Sequence, residues 1–273
     1  MALSILNNIS SLEAQNSLSM TQSSLDKTLD ALSTGQRINS GADDAAGLAI
    51  ANGLEANVTA LTQSVQNATD GVGMLQVADG ALSQVTSLLN RAVTLATEAS
   101  TGTVSTTQDV ALDAEYQSIL TEIGNIGSNT TYNGQQIFSG NTLTIFMSDS
   151  TGTGTTQITA NMVQLSATSL TLNATDLTQA SDAATALTAI NTAIAEVAAL
   201  RGALGASSNQ LQAASNVMNN QITNLTSAES GIMDADIGKE TANLSKYSIL
   251  QQTGIAALQQ SNQMQQSVLK LLQ

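Results

Sequence analysis

Carboxylates are the first place to look for chemistry in this chain, because the usual catalytic side chains are missing. Its 273 residues include no histidine and no cysteine. The commonest general base and metal ligand is therefore absent, and so are thiolate nucleophiles, disulfides and cysteine metal sites. What remains is Asp43 beside Asp44 within "STGQRINSGADDAAGLAIA" (33–51), and Asp234 and Asp236 within "MDAD" (233–236). A carboxylate pair can hold a metal or divide acid and base work. Adjacent carboxylates on a helix, however, point in different directions, and no imidazole is available to assist them. Ser40-Gly-Ala-Asp43 reads instead as a capping-box-like helix start, with both aspartates near the positive end of the helix. Gly35, Gly41 and Gly47 do not make a phosphate loop, since the lysine and the preceding strand are missing. No catalytic residue, cofactor site or metal site is expected. An enzyme built on Asp43, Asp44 or the 233–236 stretch is the rival from another class.

Charge narrows the partners. The formal net charge is −14, with only seven Lys and Arg. Phosphate neutralisation needs clustered cations, so nucleic-acid binding is not expected, nor is adhesion to an anionic membrane surface. No apolar run approaches the roughly 18 residues that span a bilayer, so membrane insertion is not expected either. The opening "MALSILNNISSLEAQ" lacks the basic flank and cleavage site of a secretory signal, and by that test alone the protein is cytosolic. Sequons at Asn8, Asn57, Asn129 and Asn173 are frequent by chance in a chain this rich in Asn, Ser and Thr. The eight methionines, among them Met20, Met74, Met218 and Met264, read as filling for helix seams.

The elements that must position these residues are long helices. Apolar residues make up 42% of the chain but aromatics only 2%, and proline is absent, so narrow helix–helix seams suit the composition. Leu18, Leu25, Leu29 and Leu32 mark a first helical stripe. From Leu54 through Val58, Leu61, Val65, Ala68, Val72 and Leu75, then Ala78, Leu82, Val85, Leu89 and Ala92, the gaps alternate four and three with one slip, at 75 to 78. Such a heptad seam over Leu54–Ala99 predicts a helix about 70 Å long. Gly71 and Gly73 inside it mark a bend or a close backbone approach. A shorter helix is predicted over 104–124. The Gly-, Ser- and Thr-rich middle follows, with alternation at Leu143, Ile145 and Met147, a turn at 148–156 and a second strand near 157–160. The four–three spacing returns from Leu187 through Ile190, Val197, Arg201, Leu204, Leu211 and Met218 to Leu225. After a break at 230–240 comes a terminal helix with Leu244, Leu250, Ile255, Leu258, Val268 and Leu271. The two long helices are expected to pair, and so are the two terminal ones. The terminal seams carry Asn, Gln and Ser and should need other copies of the chain to become ordered.

Four stretches carry a family resemblance. "LSTGQRINSGADDAAGLAIA" (32–51), "NATDGVGMLQVADGALSQV" (67–85), "SNTTYNGQQIF" (128–138) and "TANLSKYSILQQTGIAALQQSNQMQQSVLKLLQ" (241–273) resemble, in order, the terminal regions of bacterial flagellins. The resemblance implies a mainly α fold: long antiparallel coiled-coil helices, a small β-hairpin region, and terminal helices pairing as an inner coiled coil. It implies an inner domain of 1–33 with 241–273, connecting joints at 34–53 and 230–240, and a helical core of 54–229 with a β insert at about 137–175. Extra outer domains have no room between Gly124 and Thr175, so a short, core-only subunit is expected.

The implied function is structural: self-assembly into the flagellar filament for swimming motility, with a hook–filament junction protein as the alternative. Implied partners are other copies of the chain, an export chaperone, the cap and the hook-junction proteins. Implied localisation is the filament outside the cell, reached through the flagellar secretion apparatus without a cleaved signal, which replaces the cytosolic reading. Gly35, Arg37, Asn39, Asp43 and Asp44 are assigned to the joint and subunit contacts. Leu18, Leu25, Leu29, Leu32, Leu250, Leu258, Val268 and Leu271 are assigned to the assembly helices. The family's contacts with the animal innate-immune receptor map to Arg91, Leu95 and Glu115, although the surrounding "NRAVTLATEAS" departs from the recognised pattern. Gln273 and Gln210 stand where the family often has arginine.

Overall fold

A computed structural model describes residues 8–148 and 157–271, with side chains through Ser267. The elements run α1 (Ile9–Thr34), α2 (Ala45–Ala99), α3 (Thr106–Asn129), β1 (Thr131–Tyr132), β2 (Gln135–Gln136), β3 (Thr142–Phe146), β4 (Gln157–Asn161), α4 (Ala180–Met233) and α5 (Ile237–Leu271). The fold is mainly helical with a small antiparallel strand region, as the periodicity predicts. Of the turn expected at 148–156, residues 149–156 lie outside the described residues, as do Gln273 and the side chains of Val268 and Leu271. The chain divides into two compact units, 1–56 with 224–273 and 57–223.

In the second unit the core follows the heptad arithmetic. On α4, Ile190, Val197, Leu204, Leu211 and Met218 are buried at intervals of seven. On α2, Leu61, Ala68 and Leu75 make one stripe of the same period. The slip after Leu75 then splits it in two: Leu75, Leu82, Leu89 and Ala96 on one line, Ala78, Val85, Ala92 and Ala99 on the other. The wider stripe serves a second neighbour. Arg91 of α2 reaches Glu115 of α3 at 2.7 Å, and α3 buries Tyr116, Ile119, Leu120 and Ile123. Alanines line much of this seam, which lets the helix axes approach closely.

Asp79 of α2 pairs with Arg201 of α4, and Leu211 of α4 lies 3.3 Å from where a Cβ on Gly71 would stand. Residue numbers rise on one helix as they fall on the other, so α2 and α4 are antiparallel here. Gly71 is a close approach rather than a bend. A Cβ there would sit 2.2 Å from Ile145 Cδ1, which is how β3 packs directly on α2. The hairpin is pinned further by Asn67 Nδ2 donating to the Phe146 carbonyl and Ser64 Oγ to that of Ser148. β3 pairs with β4 from Thr142↔Asn161 to Phe146↔Gln157.

Two features depart from the sequence reading. A second hairpin, β1–β2, precedes the expected one and turns at Asn133–Gly134 with φ of 50° and 76°. Asn-Gly favours that turn type, so the signal was present in "SNTTYNGQQIF". In addition, α4 reaches the apolarity of a membrane span by length and composition, with mean hydropathy 1.5 over 18 residues. Alanines interleaved with Leu187, Ile190, Ile194, Val197 and Leu200 supply that value, and 28% of the window is buried, Ala183, Ala186, Ile190, Ala193 and Val197 among its buried residues.

Candidate functional site

The first unit holds the residues singled out by type and spacing. Helix α1 stops because Gly35 takes a left-handed conformation, φ +73°, and its N–H donates to the Ala31 carbonyl at 2.9 Å. Any side chain there would strain that cap. The chain then crosses the segment between α4 and α5 as a minimal antiparallel bridge, Gln36↔Asp234. Arg37 N donates to the Met233 carbonyl at 2.6 Å, and Ala235 N to that of Gly35 at 2.9 Å. The Arg37 guanidinium closes the clasp by donating from Nη2 to the Ile232 carbonyl at 2.6 Å. Its partner is thus one of the carbonyls that α4 leaves unpaired at its C-terminal end. Ile38, 1% exposed, is the apolar anchor of the segment, and sequence reasoning passed over it. It stands alone between polar residues, with no periodic neighbour to mark it.

Each aspartate that raised the question of catalysis is committed to local structure. Asp43 Oδ2 accepts from Ser40 Oγ at 2.9 Å, Ser40 N at 3.0 Å and Asn39 N at 3.3 Å, with Lys27 Nζ 3.5 Å from Oδ1. The Ser40 hydroxyl above all, with the two amides and Lys27 adding to it, holds the Asp43 carboxyl below the usual carboxylate range against a smaller opposing effect of burial. Asn39 also donates from Nδ2 to the Gln36 carbonyl. Asp44 Oδ1 accepts from Gly47 N at 2.9 Å, capping α2. The helix start expected at Ser40 therefore falls later, at Ala45, because the Ser40 hydroxyl donates to Asp43 instead of accepting from a helix amide. Asp236 caps α5 through Lys239 N, and Asp234 accepts from Ser230 Oγ. Among the described residues no cluster of three His, Cys, Asp or Glu side chains could hold a metal.

Helices α1 and α5 of the same unit lie antiparallel, joined by side-chain bonds from Ser261 to Asn8, Ser11 to Asn262 and Gln251 to Gln22. Leu18 packs on Gly254. Of the assigned assembly leucines, Leu25 is buried, Leu18, Leu32 and Leu258 are half-buried, and Leu29 and Leu250 are exposed. With Ile9, Leu12, Met20, Ile237, Ile249, Ile255 and Met264, these two helices carry nine of the fifteen exposed large apolar side chains among the described residues. That concentration exceeds the scatter expected of an ordinary surface and marks the two helices as interaction elements.

The receptor-matched residues lie in the second unit. Arg91 and Glu115 form a two-pronged pair at 2.7 and 3.1 Å, while Leu95 is buried. The Arg201–Asp79 pair, at 2.7 and 3.2 Å, was also missed. Its signal was a cation standing in an otherwise apolar seam.

Comparison with known proteins agrees with this geometry. The family model for the bacterial flagellin N-terminal helical region matches residues 5–142, and that for the C-terminal helical region matches 187–272. Flagellin 1 of Proteus mirabilis is 41% identical over 140 residues, 51% of this chain and 38% of that protein. Flagellin of Escherichia coli (strain K12) is 40% identical over 141 residues, 52% of this chain and 28% of that protein. The matches therefore span well under half the length of those relatives. The crystal structure of Bacillus cereus flagellin superposes with TM-score 0.50 at 29% identity, covering 60% of this chain and 94% of that one. A glycine-capped joint, a four–three seam that doubles at its slip, and family matches over 5–142 and 187–272 lead to one conclusion: the chain belongs to the bacterial flagellin family.

Proposed function

We propose that this chain is a filament subunit of the bacterial flagellum, built from other copies of itself and serving swimming motility. The observation that carries the reading is the placement of exposed apolar side chains on α1 and α5, which a lone subunit leaves in water. Burying such faces among identical neighbours stabilises a polymer at about 25 cal/mol for each Å² removed from water. Heterologous contacts that do not close let growth continue. On this reading Gly35, Arg37, Asn39, Asp43 and Asp44 hold the joint between α1 and α2. Leu18, Leu25, Leu29, Leu32, Leu250, Leu258, Val268 and Leu271 belong to the assembly helices, which pair as an inner coiled coil. Export through the flagellar secretion apparatus without a cleaved signal belongs to the same proposal. So do an export chaperone for the C-terminal helix and contacts with cap and hook-junction proteins. For the animal receptor, Arg91 and Glu115 are the outward-facing pair, and Leu95 acts only by holding α2 in place.

Electron microscopy of the purified chain, beside a version lacking about 35 residues at each end, tests the reading. The full chain should form long filaments and the trimmed chain none. Filaments from the trimmed chain would remove the termini from assembly. Short, self-limiting oligomers from the full chain would favour the hook–filament junction alternative.

A further inference from the structure

Five of the methionines fall at the extremes of exposure, while Met74 of the second unit and Met233 at the end of α4 are half-buried. Met147, Met162 and Met218 of the second unit are 3%, 2% and 5% exposed, whereas Met20 on α1 and Met264 on α5 are 73% and 54% exposed. Each exposed thioether has other exposed apolar side chains on its own helix. At 100° per residue, Met20 falls within about 20° of Ile9 around α1, and Met264 within about 60° of Ile249 and Leu250 around α5. The two sit at different levels of the pair. Met264 is next to the Ser261–Asn8 and Ser11–Asn262 bonds, and Met20 is next to the Gln251–Gln22 bond.

We propose that Met20 and Met264 are oxidation sites at which peroxide-class oxidants block assembly of the free subunit. This rests on the filament reading above. The sulfur attacks one peroxide oxygen, an S–O bond forms as the O–O bond breaks, and methionine sulfoxide and water result. The sulfur loses two electrons, and the peroxide gains them. In the free subunit the new S=O dipole points into water and changes little. In a packed contact it meets helices whose amides are already bonded and side chains such as Ile9, Ile249 and Leu250, which donate nothing. A buried polar group without a partner then opposes each subunit addition. Met147, Met162 and Met218 escape because solvent does not reach them.

The test treats the unassembled full chain with hydrogen peroxide until peptide mass spectrometry shows one oxygen added at Met20 and Met264 but none at Met147, Met162 or Met218. Seeded polymerisation is then followed by light scattering. Treated subunits should elongate at least about tenfold more slowly, with circular dichroism and melting unchanged. A Met20→Leu, Met264→Leu chain should keep its elongation rate after the same treatment, because leucine conserves the volume and cannot be oxidised. In preformed filaments the two methionines should oxidise at least about tenfold more slowly than in free subunits. Undiminished elongation by treated subunits, while untreated chain assembles, overturns this inference and leaves the filament reading standing. An equal loss in the double leucine chain also overturns it. Failure of untreated chain to form filaments overturns both.

Discussion

The α1–α5 pair and the α2–α4 pair look alike in sequence, both long, proline-free and marked by apolar residues at helical spacing, yet they are packed by different means. Along α4 a buried side chain recurs every seven residues from Ile190 to Met218. In α1 only Leu25, Thr28 and Ala31 are buried, and the bridges to α5 are made by Asn, Ser and Gln. Polar bridges fix register but add little to stability, since folding only exchanges them for bonds to water. Apolar layers provide the stability. One pair is complete within the subunit. The other is aligned by polar contacts and leaves its apolar residues for something else.

Truncating one leucine on each pair should break the resemblance most sharply. Leu211→Ala removes a fully buried side chain and should destabilise the subunit by about 3 kcal/mol in denaturant unfolding. Leu250→Ala, on the exposed side of α5, should change subunit stability by less than about 0.5 kcal/mol. It should nevertheless slow filament growth. Equal losses of subunit stability would mean that the two pairs are packed alike.

Glycine substitutions sharpen the picture inside the second unit. A Cβ on Gly127 of α3 would stand 2.0 Å from the Leu165 carbonyl oxygen, which is backbone and has nowhere to go. Gly127→Ala should lower stability by about 2 to 3 kcal/mol. At Gly71 the obstacle is the tip of Ile145, a side chain that can swing away. Alanine also recovers about 1 kcal/mol of helix propensity, so Gly71→Ala should lower stability by about 1 kcal/mol or less. Thermal melting of both variants decides the order, and a reversed order would contradict the packing of β3 on α2.

The helices were legible in the sequence because their signal is periodic and extends over many turns. Leu61 to Ala92, Ile190 to Met218 and the β3–β4 alternation are repeated patterns that survive a few errors. The slip between Leu75 and Ala78 could be seen, but its meaning could not. That stripe doubles because α3 lies alongside, and no local pattern reports a neighbour distant in sequence. The joint was legible as a joint from its glycines and aspartates. Its chemistry was not: Arg37 binds the Ile232 carbonyl, 195 positions away, and Ile38 is buried without a periodic partner. Single long-range contacts of this kind have no signature in the residues that make them.

At the joint, Gly35→Ala tests the left-handed cap directly. A Cβ finds no atom within 4 Å, so space is not the issue and backbone strain alone acts. The expected loss is about 1 kcal/mol, confined to the first unit. Hydrogen exchange should show faster opening at 31–38 and 232–235, with amides of 190–218 unchanged.

Acid provides the smallest effect and separates the two units by their carboxylates. Asp79 has its carboxyl held below the usual range, chiefly by the Arg201 hydrogen bonds, with burial opposing. Glu115 is lowered in the same way by Arg91, and Asp43 by Ser40. A depressed folded-state pKa means that the stabilising contribution is fully present above the unfolded carboxylate value, about 4, and is lost as pH falls through the lower folded value. Asp79→Asn should therefore melt below the parent chain at pH 7. The difference should be only about 2 °C, because both partners are more than one-third exposed and solvent screens the pair. It should close as pH falls below about 4. Comparing the two chains at each pH cancels the general relief of repulsion that protonation brings to a molecule of net charge −14. The same comparison with Asp43→Asn should leave the melting of 57–223 unaffected, because Ser40, Asn39 and Lys27 all belong to the first unit. A gap for Asp79→Asn that widens on acidification would have the wrong sign for a paired carboxylate and would remove the Arg201–Asp79 bridge as a stabilising contact between α2 and α4.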